Sequence, residues 1–164
     1  KDSAGISLDK RVRFAALFYQ LTKELEDVKR VKNKIFSLLK LPNKYKNLIK
    51  SVQLLATKYL AIMELDGEHL ALLLKQLNVS QKNNDIELAT LTCTAIFQNI
   101  LNKSENMAKA QYLMKAKEVF SKSNINSQPG TELRGKDYGN ALFQAKIEQL
   151  DFWINNSENE TRKI

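Results

Sequence analysis

Apolar residues recur every three or four positions along most of the chain, the spacing that gathers them on one face of a helix. The first series is Leu8, Val12, Ala15, Phe18, Leu21, Leu25, Val28, Val31, Ile35 and Leu38. It predicts one long helix over residues 8–41, ended by Pro42, which drives the residue before it out of the α region. A second series, Leu48, Val52, Leu55, Tyr59, Ile62, Leu65, Leu70, Leu73 and Leu77, predicts a helix over 45–77. Gly67 lies inside it and weakens it by about 1 kcal/mol relative to Ala, so a kink is expected there.

The polar stretch 78–84 reads as a turn, and Asp85 as the N-cap of a third helix over 86–101. That helix is apolar on several sides (Leu88, Leu91, Cys93, Ala95, Ile96, Phe97, Ile100), the mark of a central position. Residues 103–105 read as a turn or kink before a fourth helix over 107–121. The segment 124–139 is the main loop, with Ser127-Gln128-Pro129-Gly130 as its turn signal and Gly135 and Gly139 beyond it. A last helix covers 140–154, with Phe152-Trp153 clamping it onto its neighbours. Residues 1–7 and 155–164 read as loose ends. The expectation is an all-α fold: one domain over 1–164, built as a single antiparallel bundle of about five helices.

Composition narrows this further. The chain has 164 residues, 43% hydrophobic and 27% charged, enough to bury the core of one domain. Five glycines and two prolines are too few for a β-sandwich, a barrel or a nucleotide-binding α/β fold, which need many tight turns. The single cysteine, Cys93, allows no intrachain disulfide. No apolar run reaches the roughly 18–20 residues of a membrane span. The sequence starts at Lys1 without Met and reads as a mature or trimmed form, from which a signal or lipid-anchor segment could have been removed.

Charge changes the picture more. Lys and Arg number 26 against 18 Asp and Glu, a formal +8. Residues 1–50 hold 13 basic and 5 acidic groups, whereas 51–164 hold 13 of each. The excess is tightest in Lys29, Arg30, Lys32, Lys34, Lys40, Lys44, Lys46 and Lys50, a span without an acid. Val28-Lys29-Arg30-Val31-Lys32-Asn33 has the X-B-B-X-B-X pattern (B, basic) associated with heparin binding. At 100° per residue, Lys29, Arg30, Lys34 and Lys40 fall opposite the apolar face, and Lys32 flanks it. Lys44, Lys46 and Lys50 would join them round the Pro42 corner. A local field of this kind attracts a polyanion, with counterion release as the driving force. Lys outnumbers Arg, which suits point-charge contact more than bidentate readout. No recognition helix, zinc or stacking motif accompanies the cluster, so nucleic acid is not the expected partner.

Candidate chemistry is sparse. The only histidine, His69, sits three residues after Asp66, but a di-iron bundle needs a second such pair. Cys93 lies on an apolar helix and reads as a small buried hydrophobe. Gly130, Gly135 and Gly139 do not have the spacing of a phosphate-cradling loop. No catalytic residue, metal or cofactor is therefore expected, and the chain reads as a binding protein, not an enzyme.

Three segments carry a likeness to a known family. They are Ala56-Thr57-Lys58-Tyr59-Leu60-Ala61-Ile62-Met63-Glu64-Leu65-Asp66, the loop at 124–131 with Pro129, and Ala141-Leu142-Phe143-Gln144-Ala145-Lys146-Ile147-Glu148-Gln149-Leu150. Together they resemble the second helix, the Pro-containing loop and the last helix of the helical surface lipoproteins of Borrelia-type spirochaetes, most of all the decorin-binding adhesins. The resemblance implies a five-helix bundle, lipid-anchored to the bacterial outer membrane at the cell surface. It implies adhesion to host glycosaminoglycan or proteoglycan, or capture of a host serum protein such as a complement regulator. The family's late-helix lysines have no match in this chain, so the Lys29–Lys50 cluster is read on its own charge. The alternative reading is a cytoplasmic helical module that binds anionic membrane surfaces or a partner protein.

Overall fold

The structure is a computed structural model and describes residues 9–25, 27–81, 85–123 and 134–161. Among these residues helices are the only regular structure and no strand occurs. Its α-helices are α1 (Lys10–Thr22), α2 (Val28–Leu38), α3 (Asn43–Ala56), α4 (Gly67–Gln76), α5 (Ile86–Phe97), α6 (Lys103–Lys122) and α7 (Gly135–Thr161). A 3-10 helix, Tyr59–Glu64, lies between α3 and α4. The expected five helices are thus eight among the described residues, because two of the long ones are broken.

The first break falls after α1. Asp27 turns out of helical geometry and its carboxylate accepts the Arg30 backbone N–H at 3.0 Å, starting α2 afresh. Leu21 and Leu25, expected on the buried stripe, are exposed as a result. The second break lies between Thr57 and Asp66. Ala61 leaves helical φ/ψ, and the Lys109 ammonium donates to the Leu60 carbonyl at 2.5 Å, meeting a demand that a continuous helix would not create. Asp66 then caps α4 through the His69 N–H at 2.8 Å, so Gly67 opens a helix instead of kinking one.

The remaining boundaries also move. The third helix stops at Phe97. Residues 103–105 form the first turn of α6, held by reciprocal bonds between Asn102 and Glu105 (Glu105 N–H to Asn102 Oδ1 2.9 Å, Asn102 N–H to a Glu105 carboxylate oxygen 3.3 Å). The last helix begins at Gly135 and runs to Thr161, so Gly135 and Gly139 belong to it, as does part of the expected loose tail. The expected loop at 124–133, the lead at 1–7 and the turn residues 82–84 lie outside the described residues.

The chain gathers into two compact units, Lys1–Leu60 with Asn83–Gln111 and Ala61–Lys82 with Tyr112–Ile164. In the first, α1, α3 and α5 pack pairwise, and α2 rests on α1. Its core is Val12, Ala15, Phe18, Leu48, Val52, Leu55, Ile86, Ala89 and Cys93. Helix α5 is buried on most sides, as its composition predicts. Its Thr90, Thr92 and Thr94 hydroxyls each donate to the carbonyl four residues back (2.8, 2.6 and 3.0 Å), so they enter the core satisfied. In the second unit α4 packs on α7, and Leu70, Leu74, Leu113, Phe120 and Leu150 are buried. Trp153 lies 4.8 Å from Tyr112 there, whereas Phe152, expected to share the clamp, is 67% exposed.

Candidate functional site: a lysine-lined cleft

The break at Asp27 makes the site. There α1 has ended and α2 starts afresh, and a cleft of about 600 Å³ opens among α1, α2 and α3. Helix α1 supplies Tyr19 and Thr22, α2 supplies Val28, Lys29, Lys32 and Asn33, and α3 supplies Lys50 and Gln53. Lys23 and Thr57, each at the C-terminal edge of its helix, complete the lining. None of these residues is an acid.

Lys32 is the best positioned of the cations. Its ammonium donates to the Gln53 side-chain oxygen at 3.1 Å, bridging α2 and α3. Partial burial lowers its pKa from the ordinary 10.5, and the like charges of Lys50 and Lys29 lower it further. Three ammonium groups therefore face one space and repel each other there. Among the described residues no acid forms an ion pair with Lys29, Lys32 or Lys50. Lys23 differs, because Glu24 lies 3.6 Å from it. Tyr19 adds a phenol whose pKa is raised by burial and, secondarily, by Cys93. An arrangement of this kind can accept an anion. It offers no nucleophile beside a base.

Three of the eight expected site residues thus come together. Arg30, Lys34, Lys40, Lys44 and Lys46 do not line the cleft. Arg30 turns back to Asp27, with Nε 3.6 Å from the carboxylate. Lys44 lies near enough to Asp9 to help Arg11, the main cause, hold that carboxyl below its ordinary range. The sequence reasoning missed Lys23, Asn33, Gln53 and Tyr19 as lining residues. One signal was present: Lys50 and Gln53 are three apart and share a helix face. Lys23 was hidden by the acids that follow it.

The other candidates stay apart from this cleft. Asp66 Oδ1 and His69 Nδ1 are 2.7 Å apart on an exposed helix start. Hydrogen bonds from the His69 backbone N–H, and then from its ring, hold the Asp66 carboxyl low, the ordinary effect of a cap. Cys93 is fully buried, and burial pushes its thiol far up. Asp85 sits at the N-cap position of α5 as expected. Its carboxyl makes no capping bond, but lies 3.5 Å from the Arg11 guanidinium. Among the described residues no group of three or more His, Cys, Asp or Glu is gathered where it could hold a metal ion. No helix among them is long and apolar enough to cross a membrane.

No protein-family model, curated protein or solved structure matches this chain.

Proposed function

We propose that this chain is a non-enzymatic helical binding protein of a bacterial cell surface that holds a host polyanion through the α1–α2–α3 cleft. The ligand class is glycosaminoglycan or proteoglycan, or an acidic patch of a serum protein such as a complement regulator. One observation carries the reading: Lys29, Lys32 and Lys50 converge on a single acid-free cleft. Such a field costs stability unless an anion enters it, and the entry of one displaces condensed counterions. The surface location rests on the likeness of the 56–66 and 141–150 segments to the spirochaete lipoproteins. A concave site favours a molecule that enters it over a flat bilayer, which sets this reading ahead of membrane scaffolding.

Heparin chromatography tests the site. Wild type is retained and released by salt, and the Lys29→Gln, Lys32→Gln, Lys50→Gln triple variant elutes at clearly lower salt. Elution of both proteins at the same salt concentration would remove the cleft from consideration. Protease treatment of intact cells tests the location: a surface protein is digested, an internal one is spared.

A further inference from the structure

The cleft constrains its ligand beyond charge sign, and this inference rests on the polyanion reading. We infer that the polyanion is gripped through one ring-sized, multiply charged unit seated among Lys29, Lys32 and Lys50, and not along the length of the basic segment.

Four observations support it. The remaining five cations of the segment lie outside the cleft lining, so the cleft gathers only part of the segment's charge. Lys29, Lys32 and Lys50 come from two helices and share one space, a geometry that concentrates charge at a point. Neutral partners sit between them: the Asn33 amide, and the Gln53 amide with its oxygen already turned to Lys32. Amide groups of that kind satisfy ring hydroxyls, which a bare phosphate or sulfate does not carry. The volume of about 600 Å³ falls in the range of small-molecule sites, large enough for one or two substituted six-membered rings. The shared chemistry is a six-membered polyol ring bearing several phosphate or sulfate groups, either free or as one residue of a sulfated polysaccharide.

Titration calorimetry with inositol 1,4,5-trisphosphate (three phosphates and three free ring hydroxyls), a heparin tetrasaccharide and long-chain heparin separates the possibilities. A compact site binds inositol trisphosphate one to one, and that probe displaces heparin. Counterion release of about 0.7–0.9 per contact gives log K against log salt a slope of about −2 to −3 for three lysines, against about −6 to −7 if all eight cations engage. The tetrasaccharide then matches long heparin within a few-fold per site. Lys32→Gln abolishes binding of the ring probe while far-ultraviolet circular dichroism stays helical, and Lys34→Gln with Lys40→Gln leaves the slope unchanged. A steep slope with no displacement by the ring probe overturns the compact site and leaves the polyanion reading standing. If neither heparin nor the ring probe binds, both fall. Binding of the ring probe without binding of either the tetrasaccharide or long heparin assigns the site to a free phosphorylated polyol and overturns the adhesin reading alone.

Discussion

Lys32 holds its proton less firmly than an isolated lysine because burial, Lys50 and Lys29 all disfavour its charge. A bound anion reverses the electrostatic part of that penalty. Binding therefore takes up protons once the pH passes the lowered value, and affinity falls as the pH rises from there toward 10.5. Calorimetry in buffers of different ionisation enthalpy would show the uptake, and its absence in Lys32→Gln would assign it. Tyr59 gives a second titration. Its hydroxyl is fully buried, donates to Asn106 Oδ1 at 2.9 Å and lies 3.1 Å from Thr94 Oγ1, and burial pushes its pKa from 10.0 up to about 12. The unfolded chain loses that proton first. The stability it confers is complete below pH 10 and is lost between about 10 and 12, on the order of 2–3 kcal/mol at 1.36 kcal/mol per unit. Cys93 acts in the same direction. Tyr59→Phe leaves the buried Asn106 oxygen without its donor and costs about 1–3 kcal/mol at neutral pH. Urea unfolding at pH 8 and pH 11 measures both effects, and the variant should show the smaller alkaline loss.

At the scale of elements, two helix ends use the left-handed region. Lys40 (φ 46°) and Asn78 (φ 54°) each close a C-terminal motif, with the next residue's N–H returning to a carbonyl five positions back (Leu41 to Phe36 3.3 Å, Val79 to Leu74 3.1 Å). Asn tolerates that geometry, whereas Lys costs about 1–2 kcal/mol there. Lys40→Gly should therefore raise the denaturation midpoint, by about 1 kcal/mol of stability after the entropy of the added glycine. The start of α4 is less forgiving. The Gly67 N–H donates to Asp151 Oδ1 at 2.8 Å, and a methyl group at Gly67 would press on that carboxylate and stand 2.9 Å from the Asp151 backbone N. Gly67→Ala should lose about 1–3 kcal/mol, as overpacking does, against the gain that helix propensity alone suggests. Thermal denaturation decides the sign.

Those two residues also show why the elements were only partly legible. Apolar spacing continues in register across Lys23–Asp27 and Thr57–Asp66, so periodicity alone joins what capping bonds at Asp27 and Asp66 separate. Gly67 looked like a weak point of a helix because its partner, Asp151, is distant in sequence. Gly135 and Gly139 suggested a loop, yet both have open space around them and sit in a helix whose other residues carry it.

For the whole molecule, the all-α class was readable from helical spacing and the scarcity of Gly and Pro, which hold whatever the packing. The division into two compact units was not, since residues 61–82 join 112–164 through packing that no local pattern announces. The basic cluster was visible as charge, but the choice of Lys29, Lys32 and Lys50 from its eight members depends on the packing of α2, restarted at Asp27, beside α1 and α3. That dependence yields a further expectation. Replacing Asp27 with Ala removes the N-cap at the α2 start and should lower stability by about 1 kcal/mol. It should also weaken heparin retention, although Asp27→Ala makes the protein more positive. Stronger retention in that variant would show that net charge, not the cleft, governs binding.

The one cysteine and the one tryptophan fall in different units, Cys93 buried in the α1–α3–α5 core and Trp153 against Tyr112. The chain thus carries a native reporter for each. Thiol labelling follows the opening of one unit and indole emission follows the other, so the cooperativity of the whole can be timed in the unmodified protein without any added dye on its lysines.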